Sequence, residues 1–423
     1  MSHDHAGPPH SPVRHRPDLA RETHQRLGRY RPNQKTCRGH RGLSRRQRAT
    51  PSLGHSARGG GPITAHRTTG AHNDGQGTGD RERRSKPMKM QLLAGVFAGA
   101  SLVGAVAQAQ QTITAVHAFP ETLIYTQSFL SFVDAVNEAG EGVIQIDVRG
   151  GPEAIGMFQQ PDAVRDGIVD MVYTPGSFYG GALPEKDALV ASNLTAIETR
   201  ENGGIALIDQ LHRERMGVMY LGWFDSGVCY NLWTRNEPTF DADGNLEVDG
   251  LRLRGNAVYN AFFTNYLEAQ VIDLPTGDVY TALQNGVVDA TGWTQIGLID
   301  LRWNEFLNYR IEPCFFSTDL GVIINLETWE GLTPEAQEIL QSVAIQHEID
   351  SVNALREKRD EDFAALEEGG MQVVELEGEA RANYLAAART TTWERMRELM
   401  EENPAPSSDY DRLLELFYDP AAD

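Results

Sequence analysis

The sequence predicts an α/β protein of two doubly wound lobes facing one cleft, with a long helix that spans both lobes. Three observations carry this. A segment of the form Ala-x-x-x-Gly-(Ile/Val)-Val-Asp occurs twice, as Ala163–Asp170 and Ala282–Asp289, 119 residues apart (286 − 167). Strand-like and helix-like runs alternate around each copy, which is the order of a doubly wound α/β lobe. After Pro334 there is no Gly or Pro until Gly369, which permits a helix over 334–368, roughly 50 Å long at 1.5 Å per residue and longer than a single lobe.

The elements follow in order. QTITAVH at 111–117 reads as a strand ended by Phe119-Pro120. Thr126–Ala139 places Phe129, Phe132, Val133 and Val136 on one helical stripe before Gly140. VIQIDV at 143–148 alternates as a second strand, a helix spans Pro161–Asp166, and Ile168–Tyr173 is a β-branched third strand. Residues 217–235 are strand-like and aromatic, and DADG at 241–244 is a turn. The pattern then repeats: strand 251–254, helix 259–268, strand 270–274, helix 277–285 and strand 287–290. In both copies Gly167 and Gly286 end the helix in the left-handed conformation that glycine adopts without steric cost. Ligands bind beyond the carboxyl ends of strands in such sheets, so Tyr173-Thr174-Pro175 and Gly292-Trp293-Thr294 are expected to face each other. In the long helix, Thr333 is the expected N-cap and Ile345, Ile349, Val352 and Leu355 the expected buried stripe. Lobe I is expected over 111–233 plus 320–362, and lobe II over 234–319 plus 363–423 with the C-terminal helices.

Composition divides the chain. Residues 1–87 hold 18 Lys/Arg, 6 Asp/Glu and 9 of the 12 His, without apolar periodicity; such a stretch is expected to be disordered, and a misplaced translation start accounts for it. From Met88 the chain reads Lys89, then the apolar run Leu92–Val106, then Ala107-Gln108-Ala109. Basic, apolar, small-x-small is the order of a secretory signal peptide, so the protein is expected to be exported. From Gln110 onward 19 basic residues (38 − 18 − 1) face 53 acidic ones (59 − 6), a net charge of −34. That excess repels nucleic acid and anionic lipid. It also obliges an anionic ligand to find a local cation. Cys229 and Cys314 remain after cleavage; an oxidising compartment permits a disulfide between them, and two buried free thiols are the alternative.

Few catalytic constellations can be built. His117, His212 and His347 have no metal-ligand spacing, and there is no Cys-x-x-Cys, His-Glu-x-x-His, Gly-x-Ser-x-Gly or phosphate loop. His212 and His347 are expected in solvent, and Asp170 and Asp289 as turn or helix-end acceptors. Leu251-Arg252-Leu253-Arg254-Gly255-Asn256 stands apart. Alternation buries the leucines and puts both arginines on the other face, with Arg254 at the strand end before a glycine that lets a ligand or backbone approach. A guanidinium there is a bidentate fork for a carboxylate, and Asn256 adds a donor. Trp293 offers an aromatic cover. Phe119, Tyr173, Tyr179 and His117, near the strand ends of the first lobe, complete the candidate substrate-binding set. No catalytic residue and no metal ligand is assigned.

These residues resemble a known family, the DctP-type solute-binding proteins of tripartite ATP-independent periplasmic (TRAP) transporters. The likeness covers about residues 111–400. It rests on the exported start, Gln159–Asp170 (QQPDAVRDGIVD), Gly250-Leu251-Arg252-Leu253-Arg254, Asp278–Asp289 (DVYTALQNGVVD) and Ile324–Leu332 (INLETWEGL). The resemblance implies a periplasmic location, a periplasmic binding protein-like fold whose two lobes are joined by crossing strands and a long helix, hinge closure over a small organic acid without catalysis, and delivery to membrane permease subunits. Its carboxylate-binding arginine falls on Arg254. Gly227-Val228, Trp233 and Arg235 are similar to the branch for 2-oxo and 2-hydroxy monocarboxylates, and a C4-dicarboxylate is the other expected ligand. In that branch a metal ion bridges ligand and protein through a Gln and a Glu; the matching positions here are Cys229 and Gly292, so no cofactor is expected, a bridging divalent or sodium ion being the exception left open. The remaining readings are a secreted α/β enzyme acting on an organic acid and a ligand-sensing partner of a membrane receptor. No nucleic-acid partner is expected, and the protein is expected as a monomer or homodimer.

Overall fold

Both copies of the repeated segment fold alike. The computed structural model describes residues 109–248, 250–403 and 408–420; the extension expected at 1–87, and the signal segment expected at 88–109 save its last residue, lie outside them. The first lobe opens with β1 (Gln111–His117), α1 (Ile124–Ala139), β2 (Ile144–Val148), α2 (Gln160–Arg165) and β3 (Met171–Pro175). Short helices α3 (Asp187–Val190) and α4 (Ala196–Glu201) and the longer α5 (Gly204–Met216) lead to β4 (Val218–Trp223). The chain then enters the second lobe through β5 (Tyr230–Thr234) and a small hairpin of β6 (Thr239–Phe240) and β7 (Leu246–Glu247) around the Asp241 turn. There it repeats the scheme as β8 (Arg252–Gly255), α6 (Asn260–Asn265), β9 (Gln270–Asp273), α7 (Thr276–Gln284) and β10 (Ala290–Thr294). Next come β11 (Tyr309–Glu312), β12 (Leu320–Asn325), α8 (Leu326–Gly331), α9 (Pro334–Glu368), β13 (Gln372–Glu375), α10 (Gly378–Glu402) and α11 (Tyr410–Phe417).

The sheet orders make the internal symmetry explicit: β2-β1-β3-β12-β4 in the first lobe and β13-β11-β5-β10-β8-β9 in the second. In each, three parallel strands (β2-β1-β3, β9-β8-β10) are extended by an antiparallel one that comes from across the molecule, β12 or β5. The third strand of each triplet begins later than the β-branched residues suggest. Gly167 (φ +70°) and Gly286 (φ +63°) take the left-handed conformation, and Ile168 N–H and Val287 N–H donate back to Ala163 O and Ala282 O. That closing bond of a Schellman motif spends Ile168 and Val287 on the helix end and leaves both exposed. The aspartates that follow act as acceptors: Asp170 takes the Thr114 N–H and hydroxyl at 2.7 Å, and Asp289 takes Arg252 Nε at 2.9 Å, each tying down the first strand of its own lobe.

Strand β5 hydrogen-bonds in the second sheet, so the first lobe ends with β4 and the crossing occupies 224–229 rather than following residue 233. The return crossing is 313–319. Cys229 and Cys314 form a disulfide across these two connections. The C-terminal helices do not all belong to lobe II either. Tyr384 and Ala388 of α10 pack on the outer face of the second sheet, whereas Trp393, Met396, Leu413 and Phe417 pack on the outer face of the first.

Helix α9 runs the full 334–368, with the Thr333 side chain accepting Ala336 N–H at 3.2 Å. Its buried face is Ala336, Leu340, Ala344, Glu348, Val352 and Leu355, while Ile345 is 40% exposed. The stripe is displaced because a charged residue is buried. Glu348 accepts Arg200 Nε (2.6 Å) and Nη2 (2.7 Å) and Trp223 N–H (2.8 Å), a satisfied ion pair that hydropathy counts as solvent-facing.

Candidate functional site

The lobes meet over a narrow cavity of about 10 Å³, room for about one water molecule. The first lobe lines it with Phe119, Tyr125, Pro175, Phe178 and Leu320. The second contributes Tyr230, Arg254, Asn256, Val258, Tyr259, Trp293 and Thr294. Most of these stand at or just beyond strand ends (β1, β3, β8, β10), where doubly wound sheets present ligand sites.

Arg254 is the central group. Leu253 on the same strand packs into the outer core of the second lobe, so pleating turns Arg254 toward the cleft. It is fully buried. Nε and Nη2 donate to Leu274 O at 3.0 and 2.8 Å, and Nη1 donates to the Tyr259 hydroxyl. Of five guanidinium N–H groups three are thus used, and two remain, one on each terminal nitrogen. Among the described residues no carboxylate pairs with it. Burying an unpaired charge costs several kcal/mol.

The surroundings explain two glycines. A Cβ on Gly255 would lie 2.4 Å from Asp273 Oδ1 and 2.7 Å from Asn260 Oδ1; the space is taken by side chains of the fold rather than held for a ligand. A Cβ on Gly292 would lie 2.9–3.0 Å from the Tyr259 ring, so this glycine admits the ring that holds Arg254. Burial raises the Tyr259 phenol above its ordinary pKa, against the opposing pull of Arg254, which keeps the hydroxyl protonated. Trp293 packs edge-on to Phe119 across the cleft (6.2 Å, 81°) and lies 5.9 Å from the guanidinium carbon. Its indole N–H donates to Ile296 O. Asn256 lines the cavity, but its Oδ1 accepts Val258 N–H at 3.1 Å, leaving only the amide donors for a ligand.

Three other candidates lie outside the lining. Tyr173 is buried beneath it, stacked on Phe129 at 5.1 Å and donating to Asp225, whose carboxyl burial pushes up to about 6. Tyr179 is in the outer core of the first lobe, 2.9 Å from His212 Nε2. His212 is therefore not in solvent: it is fully buried between Tyr179 and Ile208 O, and burial lowers its pKa to about 4. His347 is likewise largely shielded, with Nε2 3.1 Å from the Ser128 hydroxyl. His117 stands behind the wall. Its Nδ1 is 2.7 Å from Phe119 O, and since a carbonyl only accepts, that nitrogen carries the proton and fixes the loop presenting Phe119. From outside, Arg395 of α10 ties the lobes together, donating to Asp187 (2.7 Å) in the first and Val258 O (3.2 Å) in the second.

The positions where a bridging metal would need oxygen ligands do not supply them. Cys229 is spent in the disulfide, and Gly292 has no side chain, its space filled by Tyr259.

Residues 115–399 match the family described as bacterial extracellular solute-binding protein, family 7 (DctP). The chain belongs to this family. A solute-binding protein of Albidiferax ferrireducens is 23% identical over 300 residues, covering 66% of this chain and 84% of its own. A monocarboxylate 2-oxoacid-binding periplasmic protein of Nostoc is 24% identical over 292 residues, covering 66% and 76%. In fold, the chain is similar to the Bordetella pertussis DctP7 receptor binding pyroglutamic acid (TM-score 0.63, 19% identity, covering 73% of this chain and 99% of that one). Other solved TRAP proteins of this fold hold L-galactonate and sn-glycerol-3-phosphate. DctP proteins are extracytoplasmic receptors, not enzymes; they bind small molecules and work with membrane permease subunits of TRAP transporters. No helix among the described residues is long and apolar enough to cross a membrane.

Proposed function

We propose that this receptor captures a small organic carboxylate in the cleft and presents it, lobes closed, to its permease. The observation that carries the reading is Arg254, fully buried at the cavity without a carboxylate of its own. Two free N–H groups on its terminal nitrogens match the two oxygens of a carboxylate, and a charge-assisted bond of this kind contributes about 1.5–3 kcal/mol. A micromolar dissociation constant needs about −8 kcal/mol; the guanidinium pair supplies part, and burial of the ligand body against aromatic walls supplies the rest. A cavity with room for one water admits such a ligand only when the lobes part, so binding is coupled to closure. The pyroglutamate and 2-oxoacid ligands named for relatives are carboxylates, which supports the class.

Residues 88–109 serve as the export signal in this reading, delivering the acidic chain to the periplasm. Thermal unfolding of the purified protein against a panel of organic acids tests the clamp. A ligand at about 100 times its dissociation constant stabilises by about 2.7 kcal/mol. An acid-dependent upward shift that disappears in Arg254→Gln is expected. An equal shift in wild type and variant refutes the assignment.

A further inference from the structure

We propose that the ligand is a planar monocarboxylate with an aromatic body, rather than a polyhydroxylated acid or a dicarboxylate; this rests on the carboxylate reading of Arg254. Three features of the cavity point there. First, Arg254 is the only cationic side chain among the lining residues. A second carboxylate would be buried with no countercharge, which is strongly unfavourable.

Second, the other polar side chains of the lining are largely committed. Thr294 Oγ1 donates to Ile296 O at 2.9 Å, Asn256 Oδ1 accepts Val258 N–H, and the Tyr259 hydroxyl accepts from Arg254. The row of hydroxyls on a sugar acid would exchange water for few partners. One buried polar group is different: the Tyr125 hydroxyl, beside Thr294, makes no hydrogen bond of ordinary geometry. The site thus has a carboxylate fork and few further polar contacts, namely the Tyr125 and Tyr230 hydroxyls and the Asn256 amide N–H groups.

Third, the walls are rings. Phe119 of the first lobe meets Trp293 of the second across the cleft, and Phe178 packs edge-on to Phe119 at 6.4 Å. A flat ring needs the lobes to part by about one ring thickness, roughly 3.5–4 Å between carbon centres. A ring acid held by Arg254 then lies against the Trp293 indole, 5.9 Å from that guanidinium.

The test is calorimetric titration of the purified full chain with benzoate, 4-hydroxybenzoate, lactate, succinate and gluconate, repeated on Arg254→Gln, Phe119→Leu and Trp293→Phe, with near-UV circular dichroism to verify folding. The benzoates are expected to bind at least tenfold more tightly than lactate, succinate or gluconate. Phe119→Leu should weaken benzoate at least fivefold while leaving lactate within twofold, and Trp293→Phe, which keeps a ring, should retain benzoate. Tighter binding of succinate, gluconate or lactate overturns the ring-acid assignment; if that binding still requires Arg254, the carboxylate clamp stands. Benzoate binding that survives Arg254→Gln overturns the clamp, and with it the orientation argued for the ring. Absence of binding by all five acids to the wild-type protein overturns both.

Discussion

The disulfide between Cys229 and Cys314 closes a loop of 85 residues, and its removal makes a quantitative test of what holds the crossings together. In the chain-entropy account a cross-link over 85 residues removes about 15 cal/mol/K from the unfolded ensemble, or about 4.5 kcal/mol at 25 °C. At about 2.1 cal/mol/K per residue, roughly 310 folded residues give an unfolding entropy of about 0.65 kcal/mol/K, so the midpoint should fall by about 7 °C. The effect reaches the site as well. Tyr230, next to Cys229, lines the cavity, and Cys229 O accepts Gln295 N–H at 2.9 Å just beyond β10. The assay is thermal unfolding of Cys229→Ser/Cys314→Ser beside the wild type with and without reductant, after thiol titration of the denatured protein has established its redox state. Wild type in reductant should fall to the midpoint of the double variant. A fully oxidised protein whose midpoint moves by less than about 1 °C on replacement would refute the loop-closure account.

Three further outcomes follow from the geometry. Gly292→Ala drives a methyl into the Tyr259 ring; overpacking of this kind costs about 1–3 kcal/mol, so urea unfolding should register that loss together with weakened ligand binding. Tyr179→Phe removes one hydrogen bond to His212, about 1 kcal/mol, and ligand affinity should stay within twofold, since Tyr179 lies outside the lining. For His212, burial lowers the folded pKa to about 4, so the unfolded state takes up the proton first: its stabilising contribution is present above about pH 6.5 and declines as pH falls toward 4, by about 3 kcal/mol. Asp225 opposes this, because its raised pKa favours the folded state as pH drops from about 6 toward 4. Urea denaturation of wild type and His212→Gln between pH 4.5 and 7 should show a flatter acid limb in the variant, and identical limbs would count against a buried neutral histidine.

Much of the fold was legible because it is written in glycine and in periodicity. Gly167 and Gly286 mark the same helix end twice, and the uninterrupted run after Pro334 sets α9 to its last residue. What escaped depends on partners distant in sequence. The buried face of α9 is set by Glu348 meeting Arg200, and β5 takes its place in the second sheet by pairing with β10 and β11. Of the residues that line the cavity, Arg254, Asn256, Trp293 and Phe119 stand out in the sequence by strand-end position and chemistry. Tyr125, Phe178, Tyr230 and Tyr259 do not, since in sequence an aromatic that lines a cleft looks the same as one inside a core, as Tyr173 and Tyr179 illustrate. Position offers the missing signal: Phe178 follows β3 by three residues and Tyr259 follows β8 by four, within reach of the same ligand-facing sheet edge.

In the proposed reading, charge recognition and shape recognition fall to different halves of the molecule. Arg254 and its support from Leu274 and Tyr259 belong entirely to the second lobe, whereas Phe119, Tyr125 and Phe178 belong to the loops and helix start after β1 and β3 of the first. Each half can therefore change without dismantling the other. A lineage that rewrites the loops of the first lobe would acquire new ligand preferences while keeping the same anion clamp, and an engineer seeking a sensor for another acid would randomise 119–125 and 175–178 and leave the arginine in place.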